Sequence, residues 1–361
     1  MRRKSVTIRD VAQMAEVSIS TVSQVLNGNN QYVGEAKRDR VLAAVKALQY
    51  RPNEIARSMV KRRTATVGVV VTTVLGNLFM PIVECIQEVL RPLGYNIILA
   101  STPDLESEMQ AIETLKAQQV DGFIFMSFMY SHTQYQSAHL LSLKEENIPF
   151  VVINRPLEKD YDFNQIHFNE WEAGYLAARH LIHLGHTSIA TISGPRDHVP
   201  PWKSAMDRHQ GWLEALKEQN LAVVPEWISD GRYSYEGGYQ AALQLLEHWE
   251  QAQKRPTAIF VANEHMTLGA LRAFYYHGVR VPHDIALVTI GDPAYAAHMF
   301  PALTTFAHPM KEAGHIATRI LLDQFQASDT LPAQNIKLSY QLHVRESSGT
   351  IPEPTSFSVK D

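Results

Sequence analysis

The sequence predicts an all-α helix-turn-helix head followed by an α/β core built of two doubly wound parallel sheets, and three observations carry that reading. Charge divides near residue 64: Met1 to Arg63 holds 13 Lys and Arg against 5 Asp and Glu, and the remainder holds 20 against 32. The first fifty residues contain three short amphipathic stretches. From Ala65 onward, apolar strand-like runs alternate with helical periodicity in two successive series.

In the head, Thr7 with Asp10 resembles a capping box, and Val11, Met14 and Ala15 give a first helix its apolar side. Glu16 and Val17 form a turn and Ser18 caps the next helix. There Val22, Val25 and Leu26 face inward while Ser20, Thr21, Gln24 and Asn27 stay polar. A third helix, from about Glu35 to Leu48, presents Val41, Leu42, Val45 and Leu48 to the first two. Two short helices joined by a three- or four-residue turn place the second in a DNA major groove. A basic head on an acidic body is the matching electrostatic footprint. After Pro52 and Asn53, the stretch Glu54–Val60 is too short to be a stable helix alone in water, which suits a switch.

The core begins with TVGVVV, NIILA, GFIFM and FVVIN, read as buried parallel strands. SIATISG, TAIFVAN and IALVTIGD repeat the pattern after about residue 170. Each βαβ series makes one lobe, with a ligand crevice at the carboxyl ends of the strands.

Hydrophobic content of 45% and charged content of 19% over 361 residues exclude a mainly disordered chain. The single cysteine, Cys85, excludes an intrachain disulfide and a cysteine-based zinc site. The absence of a run near ~20 apolar residues, and of a signal-peptide core, leads us to expect a cytoplasmic protein without membrane attachment. No dinucleotide fingerprint, phosphate loop or nucleophile elbow is present, so we expect no enzyme activity, cofactor or catalytic residue. His180, His183 and His186 in HLIHLGH are read as structural, and no metal is expected.

The motifs T-I-x-D-V-A, V-S-x-S-T-V-S-x-V-L-N and Y-R-P-N-x-I-A-R-S occur in order, and the resemblance continues through HLGHTSIATISGP, GVRVPHDIALVTIGD and PALTTFAHP to about Glu346. Nearly the whole chain thus resembles the lactose-repressor (LacI/GalR) family of bacterial transcription regulators. The resemblance implies a periplasmic-binding-protein-like core, base readout by Ile19, Ser20 and Gln24, and phosphate or backbone contacts by Thr7, Ser18, Thr21, Ser23, Asn27 and Arg57. Ile19 suits either the head's core or a thymine methyl in the groove. Gln24 stands where arginine is frequent, and its amide matches adenine better than guanine. The resemblance also implies a hinge helix that enters the minor groove in pairs, with Ala56 allowing close approach and Met59, where leucine is usual, as the wedge. Glu16 and Gly34 stand where glycine and serine are common.

The domain expectation is a head at 1–51, a hinge and linker at 52–65, a core at 66–346 and a tail at 347–361. Within the core, lobe 1 takes 66–168 and 306–330, and lobe 2 takes 169–305 and 336–346. Positions after the strands nominate Asn77, Leu78, Phe79, Arg196, Trp202, Arg208, Tyr233, Asn263, Glu264 and Asp292 for the effector. Aromatic faces beside Asp, Asn and Arg suit a sugar, although a purine would use the same groups. Tyr233 and Phe79 could equally be core, and Arg208 could be a salt bridge between lobes. The expected function is a homodimeric regulator, read as a repressor, of a pseudopalindromic operator, controlled by a small molecule. The alternatives are a sugar-sensing module without operator binding and an α/β enzyme with a DNA-binding appendage. The tail carries no leucine heptads, so no coiled-coil tetramer is expected.

Overall fold

The structure, a computed structural model, describes residues 6–26, 33–50, 63–72, 79–126, 137–155, 157, 161–196, 202–251, 255–329 and 331–349. Asn27, the hinge positions Ala56, Arg57 and Met59, and Asn77 and Leu78 lie outside the described residues. The chain divides into two units, Met1–Ala65 and Thr66–Asp361.

The first unit contains α1 (Ile8–Ala15), α2 (Ile19–Leu26) and α3 (Glu35–Ala47). The Asp10 carboxylate accepts the Thr7 backbone N–H at 2.7 Å and starts α1. Glu16 ends it with φ of +51°, a left-handed conformation that favours glycine. Ser18 Oγ then accepts the Thr21 N–H at 3.1 Å and caps α2. Val11, Ala12, Ala15, Val22, Val25, Val41 and Ala44 form the buried centre, with Val45 and Leu48 packed against it. Two expectations differ: Met14 and Leu42 are about half exposed. Each lies one helical step, about 100°, off the stripe that faces inward.

The second unit holds strands β1 (Thr66–Val71), β2 (Asn96–Ser101), β3 (Gly122–Met126), β4 (Phe150–Ile153), β5 (Asn164–Phe168), β6 (Ile189–Ser193), β7 (Ile228–Asp230), β8 (Ala258–Val261), β9 (Ala286–Ile290), β10 (Thr304–Ala307), β11 (Asn335–Leu338) and β12 (Gln341–His343). One sheet runs β11-β5-β4-β3-β1-β2 and the other β12-β10-β9-β8-β6-β7. Every pairing is parallel except β10 with β12. The helices are α4 (Met80–Leu90), α5 (Leu105–Ala117), α6 (Ala138–Glu145), α7 (Glu170–His183), α8 (Lys203–Glu218), α9 (Tyr235–Gln251), α10 (Glu264–Tyr276) and α11 (Met310–Gln326).

Strand periodicity sorts the side chains of lobe 1. Val67, Val69 and Val71 join the cluster containing α4 and α11, while Val70 turns to the opposite face with Ile112, Leu115, Leu140 and Leu143. NIILA, expected as a buried strand, is the edge strand β2 and is mostly half-exposed. In lobe 2, α7 and α8 pack so closely that a Cβ on Gly174 would collide with the backbone of Arg208, and one on Gly211 with the carbonyl of Trp171. That approach fixes where Arg208 sits.

The chain passes between the lobes three times: after β5, between β10 and α11, and between β11 and β12. The last passage corrects the expected boundary. Residues 336–338 were assigned to lobe 2, yet β11 pairs in parallel with β5 of lobe 1, Ile336 opposite Ile166. Only β12 joins lobe 2. The stretch IKLSYQLH has one continuous extended pattern, so periodicity does not reveal a change of sheet at Ser339 and Tyr340.

Candidate nucleic-acid interface and effector crevice

The face of α2 opposite its buried Val22 and Val25 is polar and open. Ser18, Ser20 and Gln24 are exposed, and Thr21 and Ser23 are half-buried. Ile19 is 44% exposed and stands outside the head's apolar cluster, so it is not core. The Ser18 hydroxyl lies 2.7 Å from that of Ser20 and 2.8 Å from that of Thr21. These contacts hold the first turn as a compact row of hydroxyls. Thr7, itself exposed, donates its hydroxyl to Asp10 at 2.8 Å. Arg9, Lys37, Arg38 and Arg40 are all exposed on the same unit. Such a surface supplies cations for phosphates and short donors and acceptors for base edges.

In the core, four of the nominated crevice residues gather beyond the carboxyl ends of β6 and β7. Arg196 donates through Nε to Ser193 Oγ at 3.0 Å and lies 3.1 Å from His209 Nε2. Burial and the Arg196 charge push the His209 imidazole down to about 4. The Trp202 and Tyr233 rings are 5.5 Å apart, and the Arg208 guanidinium carbon is 5.9 Å from the Tyr233 ring. Tyr233 lies over Gly194, where any Cβ would strike its ring.

Arg208 anchors a buried network that reaches all three passages between lobes. Its Nε donates to Glu170 Oε2 at 2.7 Å, its Nη1 to the Ala262 carbonyl at 2.6 Å, and its Nη2 to the Tyr340 hydroxyl at 3.3 Å. Nη2 also lies 3.4 Å from His308 Nε2. Tyr340 donates to Glu170 Oε2 at 2.8 Å, and Asn154 of lobe 1 donates to Glu170 Oε1 at 3.2 Å. Phe168, His308 and Tyr340, one from each passage, pack ring against ring at 4.8–6.2 Å. Burial opposes the Arg208 charge, but Glu170 beside it holds the guanidinium firmly protonated. Burial, helped by Arg208, keeps His308 neutral and therefore able to accept a hydrogen bond.

The other nominated positions divide. Phe79 is buried in the apolar cluster with Ile82, Val83 and Ile86. Asn263 Oδ1 caps α10 by accepting the Met266 N–H at 2.9 Å. Asp292 holds a bidentate Arg345 at 2.7 and 3.1 Å, His343 Nδ1 at 2.6 Å and the Thr305 hydroxyl at 2.8 Å. Burial would raise its pKa, but these bonds keep the carboxyl below its usual range. Both its oxygens therefore brace β10 and β12 within lobe 2, which removes it from the groups available to a ligand. The Glu264 carboxylate abuts Gly291, whose φ is +96°. Burial and Glu264 together push the nearby Tyr295 phenol up to about 12.

Glu170, His308, Tyr340 and Tyr295 were missed. Glu170 reads in sequence as an acidic first-turn residue favoured by the helix dipole, a signal that hides its partner 38 residues away. Within HLIHLGH, His180 faces Ser348 at 3.2 Å and His186 faces Thr257 at 2.9 Å, so the two rings bond different elements.

Residues 7–53 match the description "Bacterial regulatory proteins, lacI family", and residues 178–348 match "Periplasmic binding protein-like domain". The HTH-type transcriptional repressor PurR of Photorhabdus laumondii subsp. laumondii is 35% identical over 94% of this chain and 96% of its own. The chain belongs to the lacI family of bacterial regulatory proteins. Among solved structures, the lac repressor dimer bound to operator and the anti-inducer ONPF superposes with a TM-score of 0.78 at 29% identity, covering 96% of this chain and 99% of that one. The transcriptional regulator CelR–cellobiose complex gives 0.66 at 31% identity, covering 95% and 99%. Members of this family are DNA-binding transcription regulators under small-molecule control, and the two-lobed core with mostly parallel sheets is their fold. Among the described residues, no helix is long and apolar enough to cross a membrane.

Proposed function

We propose that the protein is a homodimeric transcription repressor, acting in the cytoplasm on a pseudopalindromic operator, whose affinity is set by a sugar or sugar derivative bound between the core lobes. The observation that carries this reading is the exposed row Ser18, Ile19, Ser20 and Gln24 along α2 and its cap, in a chain whose family consists of DNA-binding regulators. Gln24 pairs with an adenine edge, Ile19 meets a thymine methyl and Ser20 assists. Thr7, Ser18, Thr21, Ser23 and Asn27 set register on phosphates together with Arg57, while Ala56 and Met59 serve the paired hinge in the minor groove. Arg196, Trp202, Arg208, Tyr233, Asn263 and Glu264, with Leu78, hold the effector. The arrangement fits a binding site.

Control follows from the placement of Arg208 and Glu170. A ligand there touches groups bonded to all three interlobe passages, so it binds one lobe arrangement better than another and shifts the population. Operator and effector then alter each other's affinity by the same factor. The test is selection of random duplex DNA on the full-length protein at fixed salt, followed by operator titrations with and without cellobiose and ribose. An enriched palindrome whose affinity changes with a sugar supports the reading. A folded dimer that enriches no motif, with or without sugar, would sink it.

A further inference from the structure

Arg208 is a buried cation whose charge is already answered from within the protein. Its side chain and that of Glu170 are each 7% exposed and 2.7 Å apart. Four of the five guanidinium N–H groups face Glu170, Ala262, Tyr340 and His308, which leaves one on Nη1. Glu264, two residues beyond the Ala262 whose carbonyl Arg208 holds, is half-buried beside Gly291. The Arg208 end thus offers one remaining donor, with the Tyr233 ring 5.9 Å from the guanidinium carbon.

We infer that Glu170 is a specificity-determining residue: by cancelling Arg208 it makes this end of the crevice accept a neutral, hydroxyl-bearing ligand and reject its phosphorylated or carboxylated counterpart. The inference rests on the effector-crevice reading above. An anion approaching Arg208 brings a second negative charge beside a desolvated carboxylate, or displaces Glu170 and strands it as a buried, unpaired charge. A hydroxyl accepts the remaining Nη1 N–H without either penalty. Arg196 is different, because its recorded partners are Ser193 and His209, so the discrimination belongs to the Arg208 end alone.

The probe is inorganic phosphate, titrated calorimetrically at constant ionic strength into the full-length chain and three variants: Arg208→Gln, Glu170→Gln and the double variant. Wild type and Arg208→Gln should bind phosphate within about two-fold of each other, whereas Glu170→Gln should bind at least ten-fold more tightly than the double variant. Phosphate binding by wild type that weakens ten-fold in Arg208→Gln overturns the inference, as does a Glu170→Gln variant no tighter than the double variant. If Glu170→Gln fails to fold, the wild-type and Arg208→Gln pair decides, repeated with glucose 6-phosphate against glucose. A tenfold, Arg208-dependent preference for the phosphate ester overturns the proposal, and its absence supports it. Failure of the effector reading shows separately, as operator affinity that no neutral sugar changes.

Discussion

The head buries small aliphatic side chains, and no charged residue of it is buried among those described, whereas the core buries Arg208, Glu170, Glu108 and Arg155. Glu108 Oε1 takes Arg155 Nη1 at 2.6 Å and lies 2.6 Å from His139 Nε2. The head's stability therefore rests on little apolar area and on local helix signals, two of which are poor: a glutamate with positive φ at 16 and a glycine without a capping side chain at 34. The core depends on networks that hold only when complete. Loss of one member strands its partner in a poorly hydrated site, while a weak cap costs only its own contribution.

The largest break in this contrast is Arg208→Ala, which leaves Glu170 buried without its cation. It should destabilise the core by about 3–5 kcal/mol in chemical denaturation. A loss within the ~0.5 kcal/mol typical of a surface position would show the network to be dispensable. Asp292→Asn comes next. Arg345 is about one-sixth exposed and would lose a bidentate carboxylate, so about 2 kcal/mol should be lost, with unfolding midpoints following lobe 2 signals.

His209 sharpens the comparison through pH. Its folded value of about 4 lies below the ordinary 6.5, so the unfolded chain binds more protons between those values. The stability linked to the neutral imidazole is full above pH 6.5 and is lost as pH falls through 6.5 toward 4. Partial exposure screens the effect to on the order of 1–2 kcal/mol. Denaturation midpoints of His209→Gln should be flatter than wild type across that window; an unchanged slope would remove the histidine as the cause. The smallest effects are in the head. Gly34→Ser supplies a cap where a Cβ meets nothing within 4 Å, and Glu16→Gly relieves a left-handed glutamate whose ion pair to Arg40 is exposed. Gly34→Ser should raise head stability by about 0.3 kcal/mol and Glu16→Gly by about 0.5–1 kcal/mol, read as slower amide exchange in α1–α3 of the full chain.

Much of this architecture is legible in the sequence because its signals are local. The stripe Val22, Val25 and Leu26 places α2, and apolar runs followed by helices place the strands. Arg196, Trp202, Arg208 and Tyr233 were reachable by the rule that ligands gather beyond the carboxyl ends of parallel strands. What escaped is set by distance in the chain. Tyr340 meets Glu170 across 170 residues and Arg208 across 132, and β11 changes sheet within an unbroken extended stretch. Asp292 was misplaced for the same reason, since the arginine and histidine that occupy it lie more than 50 residues later.

The central claim is that the exposed face of α2 reads bases, and selection of random duplex DNA by wild type and Gln24→Ala, side by side at one salt concentration, tests it most directly. We expect wild type to recover a pseudopalindrome and the variant to recover it with preference relaxed at one symmetric pair of positions, a loss of about 1–3 kcal/mol of discrimination there. An identical motif from both proteins would contradict the claim.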